Sequence, residues 1–98
     1  MVFRIDYSRR AIANLSEFTA FQQRVIADAV DDQLEHEPMK PTRNRKPLRE
    51  NSLAPWELRV GEVRVFYDVT LDQELVEIVA IGRKVHNRLF IGTEEVQP

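Results

Sequence analysis

The sequence predicts an α+β domain. An N-terminal strand and an antiparallel helical hairpin should pack on a three- to four-stranded antiparallel sheet. Three observations carry that expectation. Apolar residues recur at helical spacing between residues 8 and 37. From Trp56 onward the period changes to two. The length is 98 residues, which suits one domain over 1–98 with a single modest core. Helices followed by hairpin-connected strands imply an antiparallel sheet with the helices on one face.

The elements follow in chain order. Val2-Phe3-Arg4-Ile5 alternates weakly and is short enough for an edge strand. Ser8 can cap a first helix, on which Ala11, Ile12, Leu15 and Phe18 share a face. Thr19-Ala20-Phe21-Gln22 reads as a capping box opening a second helix. Phe21, Val25, Ile26, Ala29, Val30 and Leu34 hold one side of it. Arg24, Asp28, Asp31, Asp32 and Glu35 lie mostly on the other. Pro38 ends the helix, because the residue before a proline avoids the helical region. Residues 38–55, with Pro41, Pro47, Pro55 and five Lys or Arg, read as a long loop of the kind that is often functional.

Trp56, Leu58 and Val60 then alternate with Glu57 and Arg59. Gly61-Glu62 suits a two-residue turn with glycine first, the II′ pattern. Val63, Val65, Tyr67 and Val69 alternate with Arg64, Phe66 and Asp68. Leu71-Asp72-Gln73-Glu74 is the next turn. Leu75 to Ile81 is apolar except at Glu77, as in a central strand, and Gly82 should end it. Leu89-Phe90-Ile91 is a last short strand.

Composition excludes several function classes. The chain is 43% hydrophobic and 31% charged, in the range of globular proteins rather than disordered tails. It has no cysteine, which removes a disulfide scaffold, a thiol nucleophile and the usual structural zinc sites. There is no Gly-rich phosphate loop, no His pair at zinc spacing and no Ser nucleophile elbow. No metal or organic cofactor is expected. No apolar run reaches the roughly 18 residues of a membrane helix, and Asp6, Arg9 and Arg10 argue against a signal peptide. The expected location is the cytoplasm, with no membrane partner.

The net charge of −2 conceals a pattern. Residues 40–64 carry seven basic side chains (Lys40, Arg43, Arg45, Lys46, Arg49, Arg59 and Arg64) against three acidic ones. Residues 83–88 add Arg83, Lys84 and Arg88 with no acid. If the two segments meet in space they form a positive patch suited to phosphate or an acidic partner. A solvated face is the plainer alternative.

The turn at Gly61-Glu62 sets a register. Val60 faces Val63, Arg59 faces Arg64, Leu58 faces Val65, Glu57 faces Phe66 and Trp56 faces Tyr67. One face then receives Trp56, Leu58, Val60, Val63, Val65 and Tyr67, a core set. The other receives Glu57, Arg59, Arg64 and Phe66. Two arginines directly opposed across strands repel. Either Glu57 bridges one of them, or an anionic ligand sits between them, held bidentately. His86, in the second basic segment, can exchange protons near neutral pH. His36, at the predicted end of the second helix, is given no chemistry.

Trp56-Glu57-Leu58-Arg59-Val60-Gly61-Glu62-Val63-Arg64-Val65-Phe66-Tyr67-Asp68-Val69 resembles the core signature of the RelE/ParE toxin superfamily. Arg45-Lys46-Pro47-Leu48 upstream and Ile78-Val79-Ala80-Ile81-Gly82-Arg83-Lys84 downstream match in order and spacing. The resemblance covers nearly the whole chain. It implies a toxin of a two-gene toxin–antitoxin system, neutralised by a cognate antitoxin. RelE-like members cut messenger RNA on the ribosome, and ParE-like members act on DNA gyrase.

Carried over residue by residue, the resemblance puts Arg59 and Arg64 at phosphate-binding positions of the hairpin. Glu57 stands where a lysine is common. Lys84 falls near the basic residue after the last long strand, and Phe90 stands where ribonuclease members often have Tyr. RNA cleavage by its own 2′-OH needs a base, an acid and cations for the crowded phosphate. Arg59, Arg64 and Lys84 supply the cations in this reading, and Glu57 or His86 the base or acid. Arg43, Arg45, Lys46, Arg83 and Arg88 are the wider RNA-binding set. Three readings follow. The first is a ribosome-dependent messenger RNA endonuclease, the second a gyrase inhibitor, and the third a non-catalytic module that binds its antitoxin.

Overall fold

A computed structural model describes residues 2–97. It contains, among those residues, strand β1 (Arg4–Tyr7), helices α1 (Arg9–Leu15) and α2 (Ala20–Leu34), and strands β2 (Arg45–Pro47), β3 (Trp56–Val60), β4 (Val63–Thr70), β5 (Leu75–Val85), β6 (Arg88–Ile91) and β7 (Glu94–Glu95). The α+β layering is as expected. The sheet is larger, with seven strands in the order β2-β3-β4-β5-β6-β7 and β1 beside β5. β5 is its spine. One edge of β5 pairs with β4 along its length, and the other pairs with β1 and then with β6. β1 is displaced from the expected residues 2–5, and its pairing with β5 is parallel.

Both helix starts follow from capping chemistry. The Ser8 Oγ accepts the Ala11 N–H at 3.0 Å and donates to the Val79 carbonyl at 2.8 Å, tying α1 to β5. At α2 the Thr19 hydroxyl accepts the Gln22 N–H at 3.1 Å, and the Gln22 side chain accepts the Thr19 N–H at 3.0 Å. α1 stops at Leu15, so Phe18 lies in the linker, where it is still buried.

The expected buried side of α2 is only half right. Ile26, Val30 and Leu34 are buried, but Phe21 is 76% exposed and Val25 41%. At about 100° per residue the six apolar positions span roughly 220°, more than one sheet can cover. The Ile26–Val30–Leu34 stripe takes the sheet, and the Phe21–Val25 stripe is left outside.

The hairpin register is as the turn demands, with Trp56 paired to Tyr67, Leu58 to Val65 and Arg59 to Arg64. Gly61 has φ +61°, and Glu62 does not share a positive φ, the II′ arrangement. Trp56, Leu58, Val65 and Tyr67 face the helices, and the Trp56 and Tyr67 rings stack with centroids 6.0 Å apart. On β5 a bulge leaves Val79 unpaired between Ile78, opposite Tyr67, and Ala80, opposite Phe66. The extra residue shifts the phase, so Ile78 and Ile81 both reach the main core. The Asn14 side-chain oxygen accepts the Ile81 N–H at 3.0 Å and fixes α1 beyond the bulge.

Three expectations need correction. Gly82 does not end the strand. β5 runs on to Val85, held by pairing of Arg83–Val85 with β6, and residue 82 is glycine because a Cβ there would lie 2.4 Å from the Phe90 carbonyl oxygen of the incoming β6. The segment Arg83–Arg88 is therefore a hairpin, with His86 and Asn87 at φ 51° and 69° as a I′ turn requires. Phe66 is not on an open face. It is fully buried with Ala54, Ala80, Leu89 and Ile91 in a second small core, roofed by Leu48 and Leu53 of the long loop. That loop itself contains β2, paired with β3.

Tyr67 anchors the entry to the loop, its hydroxyl donating to the buried Pro38 carbonyl at 2.8 Å. Burial pushes this phenol well above its ordinary range, partly offset by Arg45. Burial also pushes the Tyr7 hydroxyl up to about 12, with Asp31 adding to the shift. Tyr67→Phe leaves the Pro38 carbonyl without this donor and should cost about 1–2 kcal/mol in urea unfolding. The raised phenols also set an alkaline limit. Folded protein holds their protons more tightly than unfolded chain, so their contribution is intact below pH about 10 and is lost as pH rises toward 12. Melting temperature should be level from pH 8 to 9 and fall across that window.

Candidate functional site

The face of the sheet away from the helices is built from alternate residues of four strands. Residues paired across antiparallel strands share a face. Lys46 pairs with Glu57 and Glu57 with Phe66. Arg59 pairs with Arg64, Arg64 with Gly82, and Lys84 with Leu89. Lys46, Glu57, Arg59, Arg64 and Lys84 therefore project from one surface. They lie next to the second core, with Phe66 in the row beside Arg59 and Arg64. A groove of about 270 Å³ runs along it, lined by Lys46, Glu57, Lys84, Asn87, Arg88, Leu89, Glu95, Val96 and Gln97.

The five side chains are not equivalent. Arg64 is 7% exposed and Glu57 8%. Arg64 Nε lies 4.0 Å from a Glu57 carboxylate oxygen, an ion pair too long for a direct hydrogen bond. The Arg64 Nη1 donates to the Gly61 carbonyl at 2.7 Å and to the Val63 carbonyl at 3.0 Å. Burial pulls the Arg64 guanidinium below its ordinary value, with Arg59 pulling the same way and Glu57 and Glu62 opposing. The repulsion expected between Arg59 and Arg64 is thus relieved by Glu57, and by Arg64 turning onto the hairpin carbonyls. Arg59 and Lys46 are exposed and Lys84 is half-buried; none has an ion pair among the described residues.

The wider basic set is dispersed. Arg45, paired with Leu58, projects toward the helices. Its guanidinium donates to the Gln33 carbonyl and, at 3.2 and 3.4 Å, to the Lys40 and His36 carbonyls, closing the C-terminal end of α2. A cation there also suits the helix dipole. Arg83 pairs with Val63 on the helix side and stacks 4.6 Å over the Phe18 ring. Phe90 pairs with Arg83 and shares that side, away from Arg59 and Lys84. Arg88 donates two bonds, 2.7 and 3.0 Å, to the Glu95 carboxylate. That contact raises Arg88 and lowers Glu95. Arg43 is an exposed loop residue, and His86 is exposed at the tip of the β5–β6 hairpin.

The structure thus brings together Glu57, Arg59, Arg64, Lys84 and Lys46. It commits Arg45 and Arg83 elsewhere, pairs Arg88 with an acid, and leaves His86 exposed at a hairpin tip. Sequence reasoning missed Asn87, Glu95 and Gln97 as groove residues. The available signal was the I′ turn at His86-Asn87, which folds the C-terminal segment back beside Lys84. Among the described residues no group of three or more His, Asp or Glu side chains is placed to hold a metal. No helix among them is long and apolar enough to cross a membrane.

Residues 5–87 match the sequence model described as the ParE toxin of type II toxin-antitoxin system, parDE. A comparison with curated protein sequences finds no match. Among solved structures, the RelBE2 toxin–antitoxin complex from Mycobacterium tuberculosis superposes with TM-score 0.75 at 19% identity, covering 86% of this chain and 93% of that one. The archaeal RelE–RelB complex from Pyrococcus horikoshii gives TM-score 0.69 at 19% identity, over 88% and 99%. The isolated E. coli RelE toxin gives 0.66 at 16% identity, over 88% and 87%. The superpositions show a shared fold.

Proposed function

Because the chain belongs to the ParE toxin family of type II toxin–antitoxin systems, we propose that it is a toxin that cuts messenger RNA on the ribosome and is neutralised by a cognate antitoxin. One observation carries the nucleolytic part. Arg59, Lys46 and Lys84 project from one sheet face, and none of them is in a salt bridge among the described residues, Glu57 opposite Lys46 being turned to Arg64 instead. Three cations on one face, each free of a salt bridge, are suited to a phosphodiester backbone. The antitoxin part is supported by two similar structures, which are complexes of a RelE toxin with its antitoxin.

The chemistry required is a transfer within the RNA. The 2′-oxygen forms a bond to phosphorus as the bond to the 5′-oxygen breaks, leaving a 2′,3′-cyclic phosphate and a 5′-hydroxyl. A base takes the 2′-OH proton and an acid supplies one to the leaving oxygen. Arg59 and Lys84 stabilise the negative charge on the crowded phosphate, and Lys46 holds the neighbouring backbone. Glu57, buried within the cluster, and His86, exposed in the β5–β6 turn, are the proton-transfer groups in this reading.

Inhibition of DNA gyrase is the second reading, favoured by the match to the ParE model and by the pairing of Glu57 with Arg64. Purified chain added to ribosomes stalled on a defined message separates the two. Codon-positioned cuts, seen as new 5′ ends, support the nuclease. Intact message, together with loss of gyrase supercoiling in a parallel reaction, supports gyrase as target and overturns it.

A further inference from the structure

We infer that Arg64 is a positioning residue, whose guanidinium clamps the β3–β4 turn and faces Glu57 from within the protein, while Arg59, Lys46 and Lys84 meet the anionic ligand. The ligand part rests on the function proposed above; the clamp does not.

Two opposed arginines on one face have the chemistry to hold a phosphate together, since each guanidinium can bind it bidentately. Here their environments differ. Arg59 is exposed and its side chain is free of acids among the described residues. Arg64 is 7% exposed, and one of its terminal nitrogens bonds both the Gly61 and Val63 carbonyls. Its Nε is turned to the Glu57 carboxylate. A guanidinium has five N–H donors in a rigid fork. Nη1 and Nε are engaged, and with the residue 7% exposed the remaining Nη2 lies largely inside the protein. Bringing the guanidinium out to a ligand would mean breaking the turn contacts and leaving Glu57 buried without its ion-pair partner, a costly change. The contacts also serve the site directly. They fix the turn that presents Arg59, and they keep the guanidinium beside the Glu57 carboxylate.

Side-chain Nε–H signals of arginine, read by nitrogen-15 NMR at neutral pH, test this on the intact chain. The Arg64 signal should be protected from solvent exchange. It should stay in place when a 2′-O-methyl oligoribonucleotide is added, while the Arg59 signal moves. Salt dependence gives a second reading. Arg59→Ala should lower the slope of log affinity against log salt by about 0.7–0.9, one phosphate contact, and Arg64→Gln should leave it unchanged. Turnover gives a third, which a merely structural residue would not reproduce. Arg64→Gln and Glu57→Gln should each slow cleavage about 10²-fold, and the double variant should be no slower than Glu57→Gln alone.

Movement of the Arg64 signal together with that of Arg59, or an equal loss of salt slope in Arg64→Gln, would overturn the inference. So would rapid exchange at Arg64 in the free protein. If the oligoribonucleotide binds nowhere, the phosphate reading fails. Protection of Arg64 then still supports the clamp, and its absence overturns it. The wild-type spectrum decides even if Arg64→Gln does not fold.

Discussion

Arg59→Ala should lower messenger RNA cleavage about 10²–10³-fold while leaving the melting temperature within about 2 °C of wild type. Both halves follow from where the side chain sits. Arg59 is exposed on β3 with no ion pair among the described residues, so truncation opens no cavity and strands no buried charge. Its backbone N–H, which donates to the Asn44 carbonyl at 2.7 Å, is untouched. On the proposed chemistry, what is lost is a cation aimed at charge that grows as the 2′-oxygen attacks. Removing one such preorganised donor costs on that scale, because nothing else moves in to replace it. Cleavage rates and thermal melts on the same preparation check it. A rate loss accompanied by a large drop in melting temperature would assign Arg59 to the fold instead.

Gly82→Val should be the most damaging single change to stability, costing about 3–5 kcal/mol in urea unfolding. The Cβ position at Gly82 is 2.4 Å from the Phe90 carbonyl oxygen and 2.9 Å from the Ile91 side chain. The first clash is with backbone, so no rotamer change relieves it. β6 must move off β5, which removes Leu89 and Ile91 from the second core and uncovers Phe66. A loss of that size is a large part of the roughly 5–15 kcal/mol that holds a small domain folded. Lys84 lies two residues away on the same strand, so cleavage should fall with stability. Gly61→Ala makes a useful contrast. Nothing lies within 4 Å of its Cβ position, so the cost there is only the strain of φ +61°.

Turn chemistry and alternation made much of this architecture legible. Gly61-Glu62 was sufficient to place all five β3–β4 pairs, because a two-residue turn leaves one register free of clash. The Thr19–Gln22 capping box marked where α2 begins. Elements whose reason lies far along the chain were not legible. Gly82 reads locally as a strand end, yet its small size is required by Phe90 of β6, eight residues later. Phe66 alternates with the core set and therefore reads as exposed; only the fold of Leu48–Ala54 over it gives it a second core. The bulge at Val79 has no local signal in an apolar run that tolerates either phase.

The candidate site shows the same division. Alternation put Glu57, Arg59 and Arg64 on one face, and the basic residue after the long apolar strand supplied Lys84. Counting charge did not distinguish Arg45 and Arg83 from Lys46. The first two lie on the helix side, one closing α2 and one stacked on Phe18, and only the register of β2 and the overrun of β5 assign them there.

The central question is whether this chain cuts messenger RNA through the cation face of Lys46, Arg59 and Lys84. The direct measurement is to induce the chain without its antitoxin and map 5′ ends across cellular messenger RNA, beside an Arg59→Ala control. The account predicts growth arrest with new 5′ ends in phase with codons, both lost in the control. Growth arrest with intact messenger RNA would contradict it and point to gyrase. No arrest, with full-length folded protein present, would contradict it as well and leave an antitoxin-binding module.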